Sequence, residues 1–393
     1  MREFIVLMAF LTSLAALSVD AMLPALEQIG VDLEVARANS VQLVITVLFA
    51  GMMAGYLIYG PVADAWGRKP ALNLGLGLYI LGSLICCLSP SLTVLLLGRF
   101  VQGLGAAGGR IVTIAIVRDT FSGREMARVM SFIMGIFILV PIVAPALGQA
   151  VLAVASWRAM FGFFIVAALV AGFWAFFRLT ETLPPDQAKP LKFLALVDGF
   201  KEAAGTRVTL GYAVTSGICF GAIIGYLNSI QQILQDIYHA GPLFALYFGM
   251  MAAMIGGASF VNSALVQRLG MRRLIRLALL GMIGLSLLFL PLAVQVSVVP
   301  LPVFLAYAGL SFFCLGLMFG NMSALAMEPM GHIAGSASAF VSFVSTGVAI
   351  ACGFLIGQLY DGTVVPLAGG YLVLSVGALL VMSLTENCQN QEH

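Results

Sequence analysis

The chain has 393 residues, of which 61% are hydrophobic and only 9% are charged, and its mean hydropathy is +1.06. Soluble domains carry roughly 25% charged residues, so this composition excludes a soluble globular protein and predicts a polytopic membrane protein. The net charge of +2 gives no reason to expect a nucleic-acid partner. The apolar stretches are runs of about twenty residues without dyad alternation, which favours membrane-spanning helices and excludes a β-barrel.

Twelve apolar runs follow one another along the chain, and each is long enough to cross a bilayer as a helix. The first run has Arg2 and small residues near Ala21, as a signal peptide does, but it is long for one and Asp20 interrupts it, so a retained helix is predicted. The predicted bounds are about 4–27, 40–63, 70–89, 92–117, 126–153, 157–177, 208–236, 241–266, 272–292, 300–328, 331–359 and 363–384.

The positions of lysine and arginine predict the orientation of these spans. If the N-terminus is cytoplasmic, fifteen of the 19 Lys and Arg residues fall in cytoplasmic segments. Only Arg37 and Arg158 fall outside, and Arg99 and Arg110 lie within span four. This asymmetry follows the positive-inside rule and predicts that both termini are cytoplasmic.

One long polar segment, 178–207, divides the twelve spans into two groups of six. Its prolines break helix, and the stretch LKFLALVDGFKEA (191–203) is typical of a short amphipathic helix at the membrane surface. The predicted organisation is therefore a six-helix bundle over 1–177, a cytoplasmic linker over 178–207, and a second bundle with a short cytoplasmic tail over 208–393.

The two groups of six spans resemble each other weakly in sequence. Gly67 in GPVADAWGRKPAL (60–72) matches Gly270 in SALVQRLGMRRLI (263–275), and both segments follow the second span of their half. AIVRD (115–119) and ALAME (324–328) close the fourth span of each half, and both end in an acid. Two repeats of six spans are typical of a transporter that alternates around a site near the bilayer midplane.

Charged residues inside the spans are the first candidates for function. Asp20 is the only charge between Phe4 and Leu26, and an ionised carboxylate costs at least ~2.5–3.5 kcal/mol at a bilayer centre. Arg99 and Arg110 are eleven residues apart, which places them on one helix face. A direct or water-bridged pairing of Asp20 with Arg99 is one possibility, whereas Arg110 either faces a cavity or extends to the membrane surface.

The loop GPVADAWGRKP between spans two and three contains a particular set of residues. Gly60 is expected to allow close helix approach, and Gly67 a tight turn. Asp64, Arg68 and Lys69 supply charge of both signs. An ordinary solvated loop is the alternative interpretation.

This loop resembles the signature of the major facilitator superfamily, and RFVQGLGAAGG (99–109) is similar to a motif of its proton-coupled drug antiporters. VDAMLPAL, AIVRD, PIVAPALG (141–148) and GHIAGSASA (331–339) resemble the twelve-span bicyclomycin/chloramphenicol-resistance branch, so the resemblance covers essentially the whole chain. It implies an all-α membrane protein with two pseudo-symmetric six-helix bundles around a central cavity, and an inner-membrane antiporter that expels a small molecule as protons enter. Ala144, Gln149, Ile114 and Thr12 depart from the family patterns, which leaves substrate class and proton stoichiometry open.

The resemblance also implies roles for residues. Asp20 and Arg99 are expected to couple protons, although a purely structural acid is the alternative for Asp20. A cytoplasmic latch between spans two, four and five would contain Gly60, Asp64, Gly67, Arg68, Lys69, Arg118 and Asp119. Pro141, Pro145 and Gly148 belong to the antiporter motif of span five. The substrate-cavity candidates are Asp20, Arg99, Gln102, Arg110, Asn228, Gln231 and Asn321, some of which alternatively form hydrogen bonds between helices.

The expected function is proton-driven export of a neutral, zwitterionic or anionic drug-like molecule by a monomer in the bacterial inner membrane. No phosphate-binding loop GxxxxGK[ST] is present, so neither ATP nor a cofactor is expected, and no enzymatic or metal motif is found. Export of a native metabolite, such as a siderophore, an amino acid or a sugar derivative, is the alternative within transport. A non-transporting receptor or assembly factor, or a channel, is the alternative from another class.

Overall fold

The computed structural model describes residues 1–184 and 193–389. The chain divides into two compact units, 1–196 and 197–393. Part of the predicted linker, including Pro185 and Pro190, lies outside the described residues, as do the last four residues of the predicted tail. The predicted domain boundaries therefore stay a prediction.

The first unit consists of apolar helices with one interruption close to the N-terminus. The chain leaves α-helical geometry after Asp20 and continues through a 3-10 turn at Leu23–Ala25, where Pro24 lies. Pro24 therefore lies in an interruption of the first span. The helices are α1 (Arg2–Asp20), α2 (Leu26–Asp32), α3 (Leu43–Trp66), α4 (Arg68–Cys87), α5 (Leu92–Thr120), α6 (Gly123–Val154) and α7 (Trp157–Arg178).

The second unit has the same kind of helices and a similar interruption in its first span. Helix α9 ends at Leu227, and the chain continues through the short α10 and a π-helical turn at Ile233–Ile237. The helices, beginning with the short α8 that matches the predicted amphipathic segment, are α8 (Phe193–Gly205), α9 (Arg207–Leu227), α10 (Ile230–Gln232), α11 (Phe244–Leu269), α12 (Met271–Gln295), α13 (Leu301–Met327), α14 (Ala334–Gln358) and α15 (Val365–Gln389).

Eleven helical segments of the described chain are long and apolar enough to cross a membrane. One of them, Leu301–Gln358, has 58 residues. At 1.5 Å per residue it is about 87 Å long, far beyond a bilayer core of about 30 Å. It contains two long helices, α13 and α14, joined by the turn Glu328–Ile333, so the prediction of twelve spans is confirmed.

Large apolar side chains cover much of the outer surface of the helices. Val154, Phe173, Phe260 and Leu288 are among many that are largely exposed. A water-soluble protein rarely exposes so many, whereas lipid tails solvate such a surface. The exposed surface therefore agrees with a protein embedded in a bilayer.

Helix packing is the same in the two units. In the first unit α5 packs on α3 and α4, and α1 packs on α5, α6 and α7, while α4 contacts α7. In the second unit α13 packs on α11 and α12, and α9 packs on α13, α14 and α15, while α12 contacts α15. Each of the six packing pairs thus recurs at the corresponding spans, as the weak sequence repeat predicts.

Small residues on α5 explain why this helix is the centre of the first unit. A Cβ added at Gly103 would collide with the backbone carbonyl of Leu48 on α3, and one at Gly105 would collide with the backbone of Tyr79 on α4. The glycines of RFVQGLGAAGG therefore let two neighbouring helices approach backbone to backbone, as small residues do in membranes.

Candidate functional site

Asp20 is the last residue of α1 and lies at the helix break. Its side chain is only 5% exposed, and it forms no hydrogen bond or ion pair among the described residues. The backbone of the next residue, Ala21, touches α6, since a Cβ at Gly148 would collide with the Ala21 carbonyl oxygen. Helix α6 passes through both Pro141 and Pro145 without interruption. The antiporter motif of span five therefore lies beside the break that carries Asp20.

Arg99 is fully buried, and its guanidinium binds neutral protein groups. Nε donates to the carbonyl oxygen of Val44 at 2.9 Å, Nη1 to Oε1 of Gln102 at 2.7 Å, and Nη2 to the carbonyl oxygen of Ser18 at 3.0 Å. The guanidinium also lies 5.9 Å from the ring centre of Phe161. Arg99 thereby ties α5 to α1, α3 and α7.

The possible direct ion pair between Asp20 and Arg99 is not formed, and the helix break supplies the physical reason. The N–H of Met22 donates to the carbonyl oxygen of Val19 at 3.3 Å and not to that of Ser18. The last carbonyls of a helix lack intrahelical donors, so the Ser18 oxygen is available to the cation. Arg99 thus binds the backbone at the end of α1, at Ser18, two residues before Asp20.

A buried hydrogen-bond network extends from this cation. Gln102 Nε2 donates to Ser83 Oγ at 2.9 Å, and Ser83 Oγ donates to the carbonyl oxygen of Tyr79 at 2.7 Å. The hydroxyls of Tyr79 and Ser18 are hydrogen-bonded to each other. Ser18, Tyr79 and Ser83 were not among the residues predicted from the sequence. The spacing of Tyr79 and Ser83 by four residues, on one face of span three, was the available signal.

A second cation of α5 has a different environment. Arg110 is exposed and forms no hydrogen bond or ion pair within the described parts of the chain, whereas Arg99 and Gln102 have no exposed surface. The two arginines therefore do not form one charged face, and their assignment as substrate contacts stays a prediction. In the second unit, Asn321 Nδ2 donates to Asn262 Oδ1 at 2.7 Å, which is the helix-to-helix hydrogen bond given as the alternative.

A second cluster lies where α3 meets α4. Gly67 has φ of +103°, which confirms the predicted turn. The Arg68 guanidinium binds Asp64, and its Nε donates to Asp119 Oδ2 at 2.7 Å. Arg68 therefore joins the end of span two to the end of span four, as the predicted latch requires.

Two other residues of the predicted latch are placed differently. A Cβ at Gly60 would meet no atom within 4 Å, so this glycine does not mediate the close helix approach that we expected. Arg118 is exposed and forms no ion pair with any described residue, and the cluster includes no described contact from span five. The expectation for Gly60 failed because a helix pattern does not reveal which face meets a neighbour.

Glu181, just after span six, is a member of this cluster that the sequence analysis did not identify. Its carboxylate accepts the N–H of Arg68 and the N–H of Lys69, both at 2.9 Å. Burial by itself raises the pKa of Glu181, but the backbone N–H groups of Leu183, Lys69, Arg68 and Thr182 together hold that pKa below its ordinary value. Its position directly after a span was the only feature of the sequence that could have indicated this role for Glu181.

Lys69 has its own contacts in this cluster. Its Nζ donates to the carbonyl oxygen of Phe176 at 2.9 Å and lies 5.2 Å from the ring centre of the same residue. The side chain thereby ties the start of α4 to the end of α7. Thr182 Oγ1 in turn donates to Asp119 at 3.3 Å, so the segment after α7 contacts the acid of span four as well.

No group of three or more His, Cys, Asp or Glu side chains suited to a metal ion occurs within residues 1–184 and 193–389. The five cysteines with described side chains are free thiols. The buried charged side chains Asp20, Arg99 and Arg68 lie at the break of span one, in the network on α5, and in the cluster where α3 meets α4.

Known proteins are similar to this chain over most of its length. The family model of the Major Facilitator Superfamily matches residues 6–353. The uncharacterized MFS-type transporter YdgK of Bacillus subtilis is 33% identical over 385 residues, covering 97% of this chain and 94% of the relative. A bicyclomycin resistance protein homolog of Haemophilus influenzae is 28% identical over 387 residues, covering 97% and 94%. Multidrug resistance protein MdtL of Escherichia coli is 30% identical over 360 residues, covering 90% and 86%.

The matches extend over nearly the whole chain, and they confirm the family resemblance that the loop at 60–70 and the motif at 99–109 predicted. Because the relatives are bacterial transporters and the chain has twelve apolar helices, the protein spans the bacterial inner membrane many times. The chain belongs to the major facilitator superfamily, and it is a transporter and not an enzyme.

Proposed function

We propose that this transporter is a proton-coupled antiporter that exports a small drug-like molecule by alternating access. The substrate is neutral, zwitterionic or anionic, and the proton gradient supplies the energy without ATP or a bound cofactor. The observation that carries the proposal is Asp20, a buried carboxyl group without a partner cation among the described residues.

An unpaired ionised carboxylate inside a membrane is costly, at least ~2.5–3.5 kcal/mol near the bilayer centre. A bound proton removes this cost, and contact with water makes the ionised form acceptable again. A carboxyl group that alternates between enclosed and hydrated surroundings therefore binds and releases a proton in each cycle. Asp20 has this role in the proposal, and it lies where the backbone of α1 is already interrupted.

Arg99 acts as a positioning residue in the proposal. Its guanidinium binds the Ser18 carbonyl oxygen, two residues before Asp20, and so links the break of α1 to α5. Because neutral acceptors surround Arg99, its charge is not available to a substrate in this arrangement. Arg110 and Arg118 are the exposed cations of α5, and the enclosure of Arg99 supports a neutral substrate over a strongly anionic one.

Drug-like substrates are supported by what the relatives are called. One relative is a bicyclomycin resistance protein homolog, and another is a multidrug resistance protein. Bicyclomycin and chloramphenicol are therefore the first compounds to test. Export of a native metabolite remains the second candidate, since such a transporter would use the same proton site.

The test uses the full-length protein in proteoliposomes that contain a pH-sensitive dye and no nucleotide. We expect bicyclomycin or chloramphenicol to drive proton movement in vesicles with the wild-type chain. Asp20→Asn should reduce this signal to that of protein-free vesicles. Asp361→Asn is the matched control, because Asp361 is exposed and uses one oxygen to accept from Thr363 at 3.0 Å, which an amide oxygen can also do.

Several outcomes would contradict the proposal. Substrate-driven proton movement that persists in Asp20→Asn would reject the proton site. Substrate movement without any response to an imposed pH gradient would indicate a uniporter, and binding without movement would indicate a receptor. Proton movement with a metabolite panel but with neither antibiotic would favour the metabolite exporter.

A further inference from the structure

The break of span seven in the second unit corresponds to the break of span one in the first. In each case the N–H of the first residue after the helix donates to the carbonyl oxygen four residues earlier. The N–H of the following residue donates to the carbonyl oxygen three residues earlier. These N–H donors are Ala21 and Met22 in the first unit, and Asn228 and Ser229 in the second. The two breaks are therefore built by the same backbone hydrogen bonds.

The neighbours of the two breaks correspond as well. In the first unit the backbone of Ala21 touches Gly148 of α6, and in the second a Cβ at Gly357 of α14 would collide with Asn228. Helix α14 is the counterpart of α6 in the repeat, since α1 packs on α6 as α9 packs on α14. Asn228 Nδ2 also donates to the carbonyl oxygen of Gly353 on the same helix at 3.2 Å.

The two breaks differ in chemistry. The first break carries a carboxyl group, Asp20, whereas residues 228–231 of the second carry only amide and hydroxyl groups, on Asn228, Ser229 and Gln231, and the acid Asp236 lies exposed in the π-helical turn that follows. None of these three side chains ionises, and all three are at most 3% exposed. Residues 228–231 can therefore bind a polar group by hydrogen bonds, but they cannot exchange a proton.

Two of these side chains have unused hydrogen-bonding capacity. Ser229 Oγ is fully enclosed without a hydrogen-bond partner, and Gln231 forms no hydrogen bond among the described residues. Buried polar groups in proteins nearly always have partners, so such groups call for a specific explanation. The break explains why Ser229 does not bond to its own helix.

Three other buried hydroxyls of this unit show the usual solution. Thr215 Oγ1, Ser311 Oγ and Ser375 Oγ each donate to the carbonyl oxygen four residues earlier, at 2.7–2.8 Å. Ser229 has φ of −124° and lies outside helical geometry, so this local bond is not made. Its hydroxyl is left to a group from elsewhere, and the amide of Gln231 lies two residues away along the same turn.

We infer that Ser229 and Gln231 determine substrate specificity by binding an uncharged hydrogen-bonding part of the substrate, such as a hydroxyl or amide group. The inference rests on the proposed export function and narrows its substrate class to neutral polar molecules, in preference to lipophilic cations. Asp20 at the break of span one binds and releases the proton, and Ser229 and Gln231 at the break of span seven bind the polar group of the substrate. Because both side chains are enclosed in this structure, binding needs the opening that alternating access provides.

The test measures binding to the full-length protein in detergent, without a pH gradient. Radiolabelled bicyclomycin and chloramphenicol are the neutral probes, and ethidium is the cationic probe. Ser229→Ala and Gln231→Leu should each raise the Kd of at least one neutral probe by about 2- to 10-fold, which is the usual effect of one lost hydrogen bond. The unfolding temperature should not fall in Ser229→Ala, since the hydroxyl has no protein partner to lose.

Ser311→Ala is the matched control. Ser311 is a fully buried serine of the same unit, and its hydroxyl is bound by the Tyr307 carbonyl oxygen, so its removal should leave every Kd unchanged. The inference is overturned if Ser229→Ala and Gln231→Leu leave the neutral probes unaffected, or if they lower the unfolding temperature and weaken ethidium equally. A wild-type protein that binds ethidium more tightly than both neutral probes would also overturn it.

The result is separable from that of the proton experiment. Weaker binding in these variants, together with a wild type that moves no protons, would reject proton coupling and retain the specificity site. Normal proton coupling with unchanged binding in both variants would reject the specificity site and retain the antiporter.

Discussion

At the scale of single residues, the end of a helix determines which group a neighbouring charged side chain binds. The sequence suggested that Arg99 could pair with Asp20, because both are charges in apolar spans. In the structure, the guanidinium binds the Ser18 carbonyl oxygen that the end of α1 leaves without a donor. A backbone acceptor cannot be recognised in a sequence, since every residue has one and only the fold decides which of them lacks a donor.

The contacts of Arg99 predict a large difference between this residue and Arg110, another arginine of α5. Arg99→Lys keeps the charge but loses the planar fork that reaches Val44, Ser18 and Gln102. We expect a loss of about 1–3 kcal/mol in the free energy of unfolding for each acceptor that is left unpaired. Thermal unfolding of the purified protein should show a clearly lower midpoint for Arg99→Lys. Arg110→Lys, at an exposed position without contacts among the described residues, is the control and should change little.

At the scale of helices, the start of α4 depends on an acid from beyond span six. Pro70 has no N–H, so few free donors remain in the first turn of α4, and Glu181 accepts those of Arg68 and Lys69. Negative charge at a helix N-terminus is favourable, which adds to the two hydrogen bonds. The signature loop is thus held by a residue more than one hundred positions away, and local patterns in the loop could not reveal this.

The lowered pKa of Glu181 predicts how this contact depends on pH. Since the carboxylate has a lower pKa in the folded state than in the unfolded state, its stabilising contribution is full above the ordinary value of 4.5 and is lost as the pH falls through the folded value. Hydrogen exchange at the amides of Arg68 and Lys69 should therefore accelerate, relative to the rest of α4, as the pH falls below about 4.5.

Glu181→Gln provides the comparison for this experiment. The amide keeps an acceptor oxygen but does not titrate, so exchange at the two amides should be faster than in the wild type at neutral pH and should lose most of its specific acceleration in acid. Asp64 and Asp119 also contact Arg68, so Asp119→Asn is needed to separate their contribution. Equal pH profiles for the wild type and Glu181→Gln would contradict the assignment.

At the scale of the whole molecule, the repeat is more regular in the structure than in the sequence. The same six helix pairs pack in both units, and a glycine with positive φ joins the second and third spans of each, at +103° in Gly67 and +76° in Gly270. The two residues also have similar ψ, 163° and 159°. The chain therefore reuses one turn in both halves, although the side chains around it differ.

This equivalence predicts matched effects of substitution. Gly67→Ala and Gly270→Ala should each destabilise the protein by about 1–2 kcal/mol, because a Cβ makes positive φ unfavourable, and the loss should be larger at Gly67, where the Cβ would also collide with the Glu181 carboxylate. Gly60→Ala is the control, since Gly60 is helical and a Cβ there would meet no atom within 4 Å. Thermal unfolding should separate the first two variants from the third. A destabilised Gly60→Ala with an unaffected Gly270→Ala would contradict the repeat.

The sequence by itself determined the class of the protein, the twelve spans, the repeat and the family. Hydropathy is summed over neighbouring residues, and the glycine and charge motifs are short segments. Both can therefore be recognised from the linear order of residues alone. Only the tertiary structure decided which buried polar groups have partners. Arg99 binds backbone and not Asp20, Glu181 holds the start of α4, and Gly60 faces open space, while the hydroxyl of Ser229 stays without a partner. These facts depend on which helix faces meet and where a helix stops donating to its own carbonyls, and both are settled by packing between residues far apart in the chain.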